Sequence, residues 1–129
     1  MQSWIRDDAE GAEYVIIIPD DESFREHATN LANYRKKQGI ITKIFSLGDI
    51  NVSTKEELKA WFKEIFNTWS IPPVAICLMG DYSTDVNKGI PSFLYEPETD
   101  EVDDEYYSSD RPYSDIDDDF LPDMVLSRL

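Results

Sequence analysis

In Tyr14-Val-Ile-Ile-Ile18 an aromatic residue is followed by four β-branched ones, with no alternation of polar and apolar positions. Successive side chains of a strand point to opposite faces, so a run of this kind is a strand covered on both faces. Val74-Ala-Ile-Cys-Leu-Met79 repeats the pattern. Between the two, the sequence changes period. Asp20 and Asp21 offer N-cap oxygens, and Phe24, Ala28, Leu31 and Arg35 then recur at helical spacing, with Gly39 as the stop. Ile40–Ser46 reads as a second strand. Ser53-Thr-Lys-Glu56 reads as a capping box, with Ser53 as the cap and Glu56 reaching back. The helix it opens carries Leu58, Trp61, Phe62, Ile65, Phe66 and Trp69 on one broad face and stops at Ile71-Pro-Pro73. Asp123–Leu129 reads as a final strand.

Strand, helix, strand, helix, strand implies parallel pairing through right-handed crossovers. The expected fold class is therefore α/β, a three-layer sandwich with a mainly parallel sheet flanked by helices. At 129 residues the chain has room for one domain, residues 1–129, and it shows neither an internal repeat nor a linker. Because no helix follows Ser127-Arg-Leu129 to cover that strand, the sequence reads as the front of a longer polypeptide.

Hydrophobic residues at 41% and aromatic residues at 12% suffice for a core. Charge is far from balanced: 27 acids against 12 bases give −15. Most of the excess lies late in the chain, where residues 96–129 hold 13 acids and 2 bases. Segment 96–119 reads as an acidic loop with Arg111 its one base; Tyr106, Tyr107, Tyr113, Ile116 and Phe120 on or beside it imply that its ends dock. A surface of this sign repels phosphate backbones and anionic lipid, so neither nucleic acid nor membrane is an expected partner, whereas cations and basic peptides are. A single cysteine excludes an internal disulfide framework and a multi-cysteine zinc site. The apolar runs are far too short to span a bilayer, and Met1–Gly11 has no signal-peptide character.

In an open α/β sheet the functional crevice lies beyond the carboxyl ends of the strands. Asp20, Asp21 and Asp81 fall there, an arrangement shared with phospho-accepting receiver domains, but no lysine follows Lys88 to complete that set. For Asp20 and Asp21, capping the helix is the simpler role. Cys77 lies inside its apolar run rather than at a strand end, the place of an inert core thiol. His27 sits on the flank of the first helix's apolar face, between Phe24 and Leu31, as a boundary histidine. No Ser/His/Asp set, Gly-rich phosphate loop or His-Cys metal spacing occurs, so the chain holds no complete catalytic apparatus. Asp115-Ile-Asp117-Asp-Asp119 places alternate carboxylates on a short segment, as a hard cation such as Ca²⁺ requires, although it equally suits a solvated acidic run. It is no EF-hand, having Phe120 where the turn glycine would stand and Leu126 where the bidentate glutamate would stand. Asn51-Val-Ser53 matches a glycosylation sequon, which Ser53 as an N-cap explains as well.

Several segments in order carry a resemblance: Met79-Gly-Asp81, Gly89-Ile-Pro91, Ser109-Asp110-Arg-Pro-Tyr113, then Asp117-Asp-Asp119-Phe-Leu-Pro-Asp123 running into Ser127-Arg-Leu129. In this order they resemble the gingipain-type cysteine peptidases, family C25, with Ser127 where that family has glycine. The resemblance implies a caspase/gingipain-like fold of which this chain is the N-terminal portion. It also implies that the catalytic His and Cys lie beyond Leu129, so that neither His27 nor Cys77 inherits their roles. Asp110 resembles the acid that receives a substrate Arg or Lys in basic-specific members, and a carboxylate suits a guanidinium. The resemblance strengthens the expectation of Ca²⁺ at Asp115, Asp117 and Asp119. As partners it implies the C-terminal half of the peptidase region and protein or peptide substrates bearing basic residues. For location it implies a secreted or cell-surface parent protein. Two other readings stay open: a non-catalytic acidic module binding Ca²⁺ or basic peptides, and a family member that has lost its dyad and serves as a scaffold.

Overall fold

In the computed structural model the described residues are 11–80, 83, 85, 88–91, 93–95, 107–109, 111–114 and 124–129. The chain runs β1 (Tyr14–Ile18), α1 (Glu22–Lys37), β2 (Thr42–Ser46), α2 (Lys55–Thr68), β3 (Ala75–Leu78), β4 (Phe93–Tyr95), β5 (Tyr107–Ser109), α3 (Arg111–Ser114) and β6 (Val125–Arg128). Four strands form one sheet in the order β2-β1-β3-β6, with every neighbouring pair parallel. β4 and β5 pair antiparallel as a separate ribbon.

That order dictates the layering. The chain crosses from β1 to β2 on one side, then returns past β1 to β3 on the other. Two right-handed crossovers in opposite directions leave their helices on opposite faces of the sheet. Burial follows suit. Val15, Ile17, Ile76 and Leu78 pack with Leu58, Phe62 and Ile65 of α2, joined by Ile90 and Tyr113. Ile16, Ile18, Cys77 and Met79 face the other way, against Ala28 and Ala32 of α1, with Phe24 and Leu31 at the margin. The three-layer α/β arrangement expected from the unalternated runs is the one observed.

Element ends show where local chemistry refines the sequence reading. Asp21 is the N-cap of α1, its Oδ1 accepting from Ser23 N at 3.0 Å. β2 starts at Thr42 rather than Ile40, because Ile40 N closes the α1 terminus by donating to Arg35 O while Ile41 N donates to Glu13 Oε1. The capping box of α2 is shifted by one residue from Ser53/Glu56. Thr54 is the cap, its Oγ1 accepting from Glu57 N at 3.2 Å, and Glu57 Oε1 accepts from the backbone N–H groups of Ser53 and Thr54. Those donations, led by the Ser53 N–H, hold the Glu57 carboxyl below its ordinary value. Within the segment read as an acidic loop, the described residues form β5 and the single turn α3. Tyr113 of α3 is fully buried, its ring 5.6 Å from that of Phe62 at 81°. No helix among the described residues is long and apolar enough to cross a membrane.

Candidate functional site

All four strands of the main sheet are parallel, so their carboxyl ends share one edge. β1 has β2 on one side and β3 on the other, and this reversal sets the switch point of the sheet between the ends of β1 and β3. There Pro19 faces Gly80. Gly80 has φ +144°, and a Cβ added to it would stand 3.1 Å from Pro19 Cγ and 3.7 Å from Phe24 Cε1. Glycine thus permits both the backbone conformation and the close approach.

The acids of this edge are engaged in different ways. Asp21 caps α1. The carboxylate of exposed Asp20 lies over Gly48. Asp49, in the turn after β2, accepts from Ser46 N and from Arg25 Nη2, each at 3.0 Å, while its own N–H donates to Ser46 Oγ. The Ser46 N–H, seconded by the Arg25 guanidinium, holds the Asp49 carboxyl below its ordinary value.

On the far side of the switch point, backbone carbonyls are gathered by two side chains. Arg128, at the end of β6, donates from Nη1 to Gly80 O at 2.9 Å and to Ile90 O at 3.3 Å. Tyr113 donates from its hydroxyl to Pro91 O at 2.5 Å. Gly80 N donates to Leu129 O and Leu129 N to Leu78 O, which extends the β3–β6 pairing past the named strands. The Gly89-Ile90-Pro91 segment is therefore a hub joining the ends of β3 and β6 to α3. Nothing in the local sequence marks Arg128 for this duty, since its acceptors lie 48 and 38 residues away.

The two candidate nucleophile and base side chains are not brought together. Cys77 is fully buried in the middle of β3, between β1 and β6. Burial pushes its thiol upward from 9.0, outweighing the opposing hydrogen bonds of Tyr14 and Ser127. His27 is exposed on α1, away from the apolar margin expected for it. Cys77 is therefore not an activated thiol. Arg35 stacks over the Tyr14 ring, its Cζ 5.1 Å from the centroid, while its Nε is buried with no hydrogen-bond partner among the described residues.

Asp110, Asp115, Asp117 and Asp119, the residues singled out for basic-substrate and Ca²⁺ binding, lie outside the described residues, as does Asp81. Ser109 and Arg111, on either side of Asp110 in the sequence, close β5 and open α3. Among the described residues no group of three or more His, Cys, Asp or Glu is placed to hold a metal ion.

Comparison with known proteins bears on this edge as a whole. No curated protein matches the chain, and no solved structure does. The family model for peptidase family C25 matches residues 7–129, and so takes in the sheet, both crossover helices, the carbonyl hub and the acidic segment. A match of that extent settles membership: the chain belongs to peptidase family C25, a family of cysteine peptidases acting on protein substrates.

Proposed function

We propose that this chain is the N-terminal part of a secreted or cell-surface C25 cysteine endopeptidase, with the catalytic His and Cys supplied from beyond Leu129. The observation that carries this reading is the family match over residues 7–129, combined with a buried Cys77 and an exposed His27 that make no dyad. On this reading the 129 residues provide the rigid carboxyl edge against which the catalytic half is assembled.

Asp110 receives the Arg or Lys side chain preceding the scissile bond. A carboxylate there gives a guanidinium a charge-assisted, bidentate partner. Its place in the sequence supports the role, because Tyr113, three residues on, is fixed in the core by Phe62 and Pro91 O. Asp115, Asp117 and Asp119 supply oxygen ligands to Ca²⁺, a hard cation that prefers several carboxylates.

The test uses the complete natural protein with fluorogenic peptides carrying Arg, Lys or Gln before the cleaved bond. Asp110→Asn removes one charge-assisted interaction, so kcat/KM for the Arg substrate falls about 10- to 100-fold while the Gln substrate is unchanged. Unaltered Arg preference in Asp110→Asn refutes the assignment. Millimolar Ca²⁺ raises the melting temperature, as binding to the native state must, and Asp117→Asn/Asp119→Asn abolishes the rise. A complete protein that binds basic peptides without cleaving any would instead be the non-catalytic acidic module.

A further inference from the structure

A groove of about 430 Å³ runs along the outer flank of the sheet, beside the edge strand β2. Its volume is in the range of small-ligand sites. The walls are aromatic: Phe45 of β2 meets Trp61 of α2 edge-on at 5.1 Å, and Trp69, just past α2, stands 6.1 Å from each. Ile65 backs them. All three rings are only part-buried.

Three features give this groove a preferred occupant. Its ionisable lining groups, among the described residues, are both carboxylates, Asp49 and Glu64. Asp49 is kept ionised by Ser46 N–H and Arg25, whereas Glu64 is exposed, one helical turn beyond Trp61, and its side chain has no partner among the described residues. The aromatic wall already takes an ammonium, since Lys43 Nζ lies 5.8 Å from the Trp69 ring centroid. Finally, the indole N–H groups of Trp61 and Trp69, both residues of the lining, make no hydrogen bond among the described residues.

We infer that this groove is a docking site for a basic side chain of a polypeptide, apart from Asp110. The cationic group lies against the Trp61 and Trp69 faces with Glu64 as counter-charge, and peptide carbonyls accept from the indole N–H groups. Among the described residues the ionisable groups lining the groove are carboxylates, of which Glu64 is left without a cation, and the protein's net charge of −15 favours basic peptides over acidic ones. The inference stands on the groove itself and does not depend on where substrate is cleaved.

The test is a titration of the ¹⁵N-labelled 129-residue chain followed by its indole N–H resonances. The probes are acetyl-Gly-Arg-Gly-amide, its Gln analogue and free argininamide. Saturable movement of two indole peaks with the Arg peptide, and none with the Gln peptide, is expected. Glu64→Gln, an exposed isosteric change, weakens binding at least threefold, Trp69→Leu removes it, and Asp110→Asn leaves it unchanged. Peaks that stay still, an equal response to the Gln peptide, or full affinity in Glu64→Gln overturns the inference. Argininamide binding as tightly as the peptide overturns the choice of a polypeptide. Loss of binding in Asp110→Asn assigns the peptide to Asp110 and overturns the groove, while the Asp110 reading survives.

Discussion

Tyr113 ties α3 to the core, and its contribution divides into two parts. Its hydroxyl donates to Pro91 O, and its fully buried ring packs edge-to-face on Phe62. Tyr113→Phe keeps the ring and strips a buried carbonyl of this donor, which costs about 2 kcal/mol, within the 1–3 kcal/mol typical of an orphaned buried group. Tyr113→Ala also forfeits the ring and leaves a cavity, a change worth roughly 3–5 kcal/mol by itself. Domains of this kind have about 5–15 kcal/mol in total, so the alanine variant approaches the limit of folding and the phenylalanine variant is the informative one. Urea denaturation followed by tryptophan fluorescence gives both values, from midpoints at constant slope. In a thermal scan the phenylalanine change lowers Tm by about 8 °C, at roughly 4 °C per kcal/mol. If Tyr113→Phe stays within about 0.5 kcal/mol of the parent, the hydroxyl does not anchor the hub. Should Tyr113→Ala also lose less than about 1 kcal/mol, well under the cost of emptying a core site, the ring is no part of the core.

Gly11, which pairs with Ile71 in an isolated parallel β-bridge, holds φ +124°, and a Cβ there would lie 2.1 Å from Ile71 O, so Gly11→Ala costs at least about 3 kcal/mol by combining backbone strain with overpacking; denaturant midpoints equal to the parent's would contradict that close approach. The Asp49 carboxyl is held below its ordinary 3.8, which makes its stabilisation complete above that value and lost as pH falls through the lower folded value. Asp49→Asn therefore lowers Tm slightly at neutral pH, the pair with Arg25 being largely exposed, and flattens the acid limb below about 4, so that parent and variant converge at low pH. A parallel acid limb in the variant would show that Asp49 is not linked to folding. Cys77, buried with a raised pKa, stays unmodified by Ellman's reagent at pH 8 in the native chain and reacts fully in denaturant. Stoichiometric labelling of the folded chain would refute its burial.

The main sheet was legible because its signals are local. The unalternated runs 14–18 and 74–79 place Val15 and Ile17 in one layer and Ile16 and Ile18 in the other. Helical spacing likewise identified Leu58, Phe62 and Ile65 as the buried face of α2. Capping chemistry was legible only to within a residue, since Ser53-Thr-Lys-Glu-Glu57 offers two overlapping boxes and the start of the helix at Lys55 selects the second. Tyr113 stood out as an aromatic in an acidic stretch, but its acceptor is 22 residues away and no periodicity links the two. The same is true of Arg128, whose two carbonyls come together only once β3 and β6 pair. β4 and β5, three residues each and joined across a long acidic segment, carry no tight-turn signature. His27 lies one step around the helix from buried Ala28, far enough to leave it in solvent.

We propose that the catalytic dyad of this C25 family member lies outside the 129 residues. The most direct test is hydrolysis of Arg- and Lys-containing fluorogenic peptides by the 129-residue chain alone and by the same chain extended through the coding region that follows Leu129, each as parent and as Cys77→Ala/His27→Ala. The account predicts no turnover by the chain alone. It predicts thiol-reagent-sensitive turnover by the extended protein, undiminished in the double variant. Turnover by the chain alone that disappears in Cys77→Ala/His27→Ala would contradict it.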